Sequence, residues 1–236
     1  MGKIWAVCSG SGGVGKTMTA LSIAAGASKA GRKTIFLDAS CASRSGDLVL
    51  QMESIVVLDM LSVLHEQVDI ASALYPVPRY ENLYFACASF SENMSVSELS
   101  GIVLALHSMC DILVVDLPTG QVHLGRGVLR AEDERVLVLR PEEASIRTTE
   151  LLLTYCRGES SNCSLVINHL SRDRIKRKTQ YTQETVQNLL ECPVIACVPE
   201  DASIPTCELS GRAAIECDGP AWSELSGLAN ALLGSA

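Results

Sequence analysis

The chain has 236 residues, 47% apolar and 19% charged, which is enough apolar surface for a full core and excludes a disordered or fibrous chain. A formal net charge of −8 excludes a general nucleic-acid coat, because phosphate affinity needs clustered Lys and Arg. No window holds 18 uncharged apolar residues, and MGKIWAVCSG lacks the form of a cleavable signal, so the expected site of action is the cytosol.

Short apolar runs alternate with longer helical stretches from one end of the chain to the other. Strands are expected at Ile4–Cys8, Thr34–Leu37, Leu83–Ala88, Asp111–Asp116, Arg135–Arg140, Ser164–Asn168 and Pro193–Val198. These runs are continuously apolar rather than alternating, the pattern of strands covered on both faces of a parallel sheet. Helices are expected at Lys16–Ala30, Val56–Leu64, Val96–His107, Ala144–Cys156 and Tyr181–Leu190. A closing helix is expected over Asp218–Leu233, with Pro220 in its first turn. The fold class is therefore α/β, a doubly wound, mostly parallel sheet flanked by helices, read as one domain over residues 1–236. Such sheets bind ligands beyond the carboxyl ends of their strands.

At the first of those ends, Gly10-Ser11-Gly12-Gly13-Val14-Gly15-Lys16-Thr17 matches GxxxxGK[ST] in full. The glycines let the backbone curl so that successive N–H groups face phosphate oxygens, and the helix that follows adds its unpaired N–H groups and positive end. Lys16 is expected to reach the β- and γ-phosphates, and the Thr17 hydroxyl to ligate magnesium. Asp116 ends a second apolar strand, DILVVD, where a carboxylate can hold that magnesium through water. The cofactors implied are ATP or ADP with Mg2+.

The opening KIWAVCSGSGGVGKTMTALSIAAGASKAGRKTIFLDAS resembles the MinD/ParA family of P-loop ATPases, and the MinD branch in particular. Arg44 and Asp47-Leu48-Val49 follow the Asp38 strand as they do in that branch. Asp116-Leu117-Pro118-Thr119-Gly120 resembles the family's DxPxG switch II, and Pro141 to Arg147 its PE-x-x-S-x-R helix start. The resemblance implies phosphate and metal binding by Gly12, Gly13, Val14, Gly15, Lys16 and Thr17, with Met18 beside them. It implies that Asp38 and Asp116 hold magnesium through water and that Pro118–Gly120 sense the γ-phosphate. Asn168, Pro199 and Asp201 would clasp adenine. Lys16, Asp38 and Asp116 are the candidate catalytic set. The function implied is a switch ATPase whose nucleotide-dependent homodimer positions a cellular partner, as in septum placement.

Four departures accompany these matches. Ser11 stands where the family carries a signature Lys that reaches across a nucleotide-sandwiched dimer. Asp38-Ala39-Ser40 replaces a DxD switch I whose second Asp orients the attacking water. Ala42 replaces a Gly, and Met18 a Thr. Binding parts are kept and hydrolysis parts are changed, so slow turnover is expected. A nucleotide-binding scaffold with little hydrolysis is the alternative. A metallochaperone relative would need a CxC or CxxC, which the sequence lacks.

Other features have plainer readings. The ten cysteines, with Cys8, Cys87 and Cys197 in strand-like runs, read as reduced core residues. Arg172–Lys178 packs five cations into seven residues. It reads as a solvated loop before a helix, with contact to DNA, anionic lipid or an acidic partner as the functional alternative. His65, His107, His123 and His169 are scattered without metal-ligand spacing. PAWSELSGLANALLGSA is amphipathic, yet no Lys or Arg follows Arg212. The segment therefore reads as packing on the sheet rather than as a membrane anchor.

Overall fold

The computed structural model describes residues 2–40, 45–89, 95–121, 129, 133–157 and 162–234; Cys41, Ala42, Arg44 and His123 lie outside the described residues. Eight strands form one sheet: β1 (Lys3–Cys8), β2 (Thr34–Asp38), β3 (Tyr75–Pro76), β4 (Leu83–Cys87), β5 (Ile112–Asp116), β6 (Glu134–Leu139), β7 (Asn162–Leu170) and β8 (Val194–Pro199). Their order across the sheet is β3-β4-β2-β5-β1-β6-β7-β8. Every pairing is parallel except that of β3, a two-residue antiparallel edge against β4. All seven strands expected from the sequence are present; β3 is additional.

Helices cover both faces, which is why the strands read as unbroken apolar runs. Successive strand residues point to opposite sides, so Trp5, Val7 and Phe36 enter one core while Ile4, Ala6, Cys8, Ile35 and Leu37 enter the other. On the first face lie α1 (Lys16–Lys29), α2 (Ser45–Leu50), α8 (Ile204–Leu209) and α9 (Trp222–Gly234). On the second lie α3 (Met60–Leu64), α4 (Val96–His107), α5 (Glu143–Cys156) and α7 (Gln183–Leu190), and α6 (Arg172–Lys176) follows β7. Helix α4 matches the expected bounds because Ser95 and Glu98 form a reciprocal capping box.

Three expectations are corrected. Helix α3 starts at Met60 rather than Val56, because the Asp59 carboxylate accepts the Ser62 N–H and caps it there. Helix α9 starts at Trp222 rather than Asp218, so Pro220 precedes it. The Ala221 N–H is instead given to Asp201 Oδ2 at 2.9 Å. Residues 172–176 are helical rather than a loop, although all of their charges lie at the surface.

The cysteine reading is also corrected in part. Cys207 and Cys217 are joined as a disulfide, tying α8 to the turn before α9. Cys8, Cys87, Cys156 and Cys192 are free and buried, as expected of core residues. Burial pushes the Cys8 thiol up to about 12, which leaves it inert at neutral pH. The C-terminal helix does pack on the fold, burying Leu225, Leu228, Ala229 and Leu232 against α1 and β8. No helix among the described residues is long and apolar enough to cross a membrane.

Candidate functional site

Parallel register sets the site. Asp38, at the end of β2, lies directly opposite Asp116, at the end of β5, and Asp116 lies opposite Val7 near the end of β1. The loop that leaves β1 therefore emerges beside two carboxylates. It turns through Gly13 (φ 67°) and Gly15 (φ 88°), left-handed conformations that glycine adopts without steric cost. Gly15 also serves as the N-cap of α1, and no side chain caps that helix, whose first N–H groups face the loop.

Space at Gly15 is as restrictive as its φ. A Cβ there would lie 2.2 Å from Asn168 Nδ2, which donates to the Val14 carbonyl at 2.8 Å. Gly15→Ala is therefore expected to cost about 1–2 kcal/mol from the left-handed backbone alone, plus the loss of the Asn168 bond. Urea unfolding of the variant at unchanged stability would contradict this account of the loop.

Lys16 Nζ lies 2.5 Å from Asp116 Oδ1, and Thr17 donates to Asp116 Oδ2 at 2.6 Å. Both charges are buried. Burial raises Asp116 to about 6, against the pull of Lys16; the neighbouring Asp38 adds to the rise. Thr17 Oγ1 also lies 3.1 Å from Ser45 Oγ. The Asp38 carboxylate accepts the Ser40 N–H at 2.8 Å, the Ser40 hydroxyl, and the Gly46 N–H at 2.7 Å. Thr17 thus joins the Ser45 hydroxyl and the Asp116 carboxylate, with Asp38 at the neighbouring strand end. These hydroxyl and carboxylate oxygens are the donor type a hard divalent cation such as Mg2+ requires. Gly120 of the DLPTG segment donates to the Ser9 carbonyl at 2.8 Å, tying that segment to the loop.

A pocket of about 300 Å³ adjoins the loop, lined by Gly13, Gly15, Met18, Asn168, Pro199 and Asp201 among others. Every adenine-side residue expected from the sequence therefore borders one cavity, of a size that suits a small ligand. Two of their side chains are already engaged. Asn168 holds Val14, and Asp201 accepts from the Ser203 N–H and hydroxyl and from the Ala221 N–H. Burial alone would raise Asp201, but these hydrogen bonds outweigh it and leave the carboxyl below its usual range. Asp201 therefore builds the pocket wall rather than extending a free carboxylate into it.

Thr19, His169, Ile204, Pro205, Glu208 and Leu225 complete the walls and were missed in the sequence. Pro205 and Glu208 sit in a six-residue helix too short to show periodicity, and Leu225 reads only as core. His169 adopts φ 56° beside a register shift between β7 and β8, and burial with the nearby Arg140 charge lowers its pKa. Arg140 was missed as well; its Nη2 donates to the Gly13 carbonyl at 2.8 Å. Ser11, in place of the signature Lys, lies 2.9 Å from Thr148 Oγ1 on α5.

Comparison with known proteins agrees with the fold. The septum site-determining protein MinD of Synechocystis sp. is 27% identical over 208 residues, covering 86% of this chain and 78% of its own length. Among solved structures, the MinC:MinD cell division complex of Aquifex aeolicus aligns with a TM-score of 0.88 at 23% identity, covering 99% of this chain and 96% of that one. MinD complexed with Mg-ADP from Pyrococcus horikoshii aligns with a TM-score of 0.85 at 22% identity, covering 97% and 95%. Both establish the likeness of fold. The ParA family model, described as NUBPL iron-transfer P-loop NTPase, matches residues 1–232, and the chain belongs to that P-loop NTPase family.

Proposed function

We propose that this protein is an ATP-dependent switch of the MinD/ParA type, one nucleotide-binding domain whose ATP state governs homodimerisation and the positioning of a cell-division partner. The observation that carries the reading is the GxxxxGK[ST] loop set on Asp116 beside the 300 Å³ pocket. Solved relatives described as a MinC:MinD complex and as MinD with Mg-ADP support it. The cytosol, where ATP is supplied, is the compartment that suits it.

In this reading the backbone N–H groups of Gly12 to Lys16 and the open end of α1 receive the phosphates. Lys16 leaves Asp116 for the β- and γ-phosphates and carries its charge with it. Thr17, Asp38 and Asp116 are the residues that would hold magnesium. When bound, magnesium neutralises phosphate charge and orients the phosphates. Pro118–Gly120, fastened to Ser9, report on the γ-phosphate. Asn168, Pro199, Met18 and the wall built by Asp201 enclose adenine.

Size-exclusion chromatography with light scattering on the full chain tests the switch. A mass that doubles in Mg-ATP and not in Mg-ADP is the expected result; an unchanged mass would instead favour a monomeric nucleotide-binding scaffold. The same runs with short duplex DNA would report contact through Arg172–Lys178, where Arg174 is already paired with Glu142 and Glu200.

A further inference from the structure

Arg140 begins the connection after β6, the strand next to β1, and its side chain crosses to the phosphate loop. Nη2 donates to the Gly13 carbonyl at 2.8 Å, while Nε is buried with no hydrogen-bond partner among the described residues. Nor does any carboxylate of the described residues pair with it. The two carboxylates nearby, Glu142 and Glu200, are taken by Arg174 at 3.5 and 3.0 Å. Lys16, by contrast, is matched by Asp116. Arg140 thus brings a positive charge to the outside of the loop with no carboxylate of the described residues in direct contact with it.

The bond to Gly13 has a directional consequence. In a trans peptide the carbonyl of one residue and the N–H of the next point opposite ways. A guanidinium that holds the Gly13 carbonyl outward therefore aims the Val14 N–H inward. Asn168 does the same one residue on, holding the Val14 carbonyl and so aiming the Gly15 N–H. Two side chains from adjacent strand ends set two consecutive donors of a concave anion-binding backbone.

We propose that Arg140 is a positioning residue of the phosphate site, one that aims the Val14 N–H at the nucleotide's phosphates. It also supplies from within the same chain a positive charge that the loop lacks at Ser11. This rests on the nucleotide reading above. Because the guanidinium is partly solvated, its worth lies at the low end for a charge-assisted hydrogen bond.

The test is calorimetric titration of the full chain with Mg-ADP and Mg-ATP, for the wild type and for Arg140→Ala, Arg140→Gln and Arg140→Lys. Arg140→Ala and Arg140→Gln are expected to bind both nucleotides about tenfold more weakly, and Arg140→Lys to recover most of the loss. Ligand-free melting temperatures should stay within about 2 °C, since the loop is at the surface. Wild-type affinity in Arg140→Ala would overturn the proposal, as would Arg140→Gln binding as well as Arg140→Lys. Lys16→Ala separates the two layers of the argument. If Lys16→Ala also binds normally, the loop is not the nucleotide site and the underlying reading fails. If it alone loses binding, only the role of Arg140 is refuted.

Discussion

Lys16→Ala is expected to weaken ATP and ADP binding by at least about a hundredfold, as the loss of a charge-assisted contact to two phosphates requires. The site geometry adds a second effect. Lys16 is the counter-ion of Asp116, which is fully buried between β1 and β2. Removing one member of a buried pair commonly costs about 3–5 kcal/mol, because the survivor remains charged in a medium that solvates it poorly. Asp116 already sits high, at about 6, and without Lys16 it takes up a proton, which caps the penalty below that range. Binding and stability are therefore both reduced in the single variant. Lys16→Ala with Asp116→Asn keeps the shape without the orphaned charge and should recover stability but not affinity. Calorimetry and thermal melts on both variants read the two effects apart. Recovery of nucleotide affinity in the double variant would refute the role given to Lys16.

The second large effect concerns turnover. In phosphoryl transfer the protein contributes positioned charge and a positioned water, and removing one such electrostatic group costs about a hundredfold to a thousandfold in rate. Ser11 carries no charge, and its hydroxyl lies against Thr148 on α5, so it offers nothing to a facing protomer. The Ser40 hydroxyl and N–H are both turned onto Asp38, so it orients no water in this arrangement. The wild-type chain is expected to release phosphate well below about 1 per second, the low end for ordinary enzymes. Ser11→Lys with Ser40→Asp should raise that rate, by less than the product of the single gains, because groups acting as a unit are not additive. Placing an Asp beside Asp38 brings two carboxylates together, so the double variant needs magnesium more strongly than the wild type does. Wild-type turnover of about 1 per second or more would falsify the assignment. So would a rate unchanged by both replacements in a protein that still dimerises.

How far the sequence carries depends on the range of the forces involved. Strands β1, β2, β5 and β6 declare themselves because burial on both faces removes every polar alternation from their runs. The phosphate loop declares itself because its chemistry is local: backbone curvature, a lysine and a hydroxyl within eight residues. Helices α2 and α8, six residues each, span less than two turns and leave no periodic trace, and β3 has only two residues. The α3 boundary is legible in Asp59, three residues before the Ser62 N–H it caps, and that cap overrides the apolar run from Val56. Arg140 ends an expected strand just before the Pro141 motif, yet only strand order brings it to the phosphate loop, and only helix packing brings Leu225 to the pocket. The Cys207–Cys217 bond is of the same kind, since spacing alone does not tell a bridge from two buried thiols.

Helix α1 begins at the phosphate loop and, ten residues on, presents Gly26 to α9 so closely that a Cβ there would lie 2.8 Å from the Ala229 side chain. The same α9 supplies Leu225 to the pocket and is fastened through Ala221 to Asp201, another of its lining residues. The close contact between α1 and α9 at Gly26, roughly 15 Å along α1 from Lys16, therefore sets how near α9 and its pocket residue Leu225 come to α1. A bulkier residue at 26 would press the two helices apart and shift Leu225, although residue 26 does not itself line the pocket. The fit of this pocket wall is in this sense held at a distance, by the absence of a side chain at Gly26.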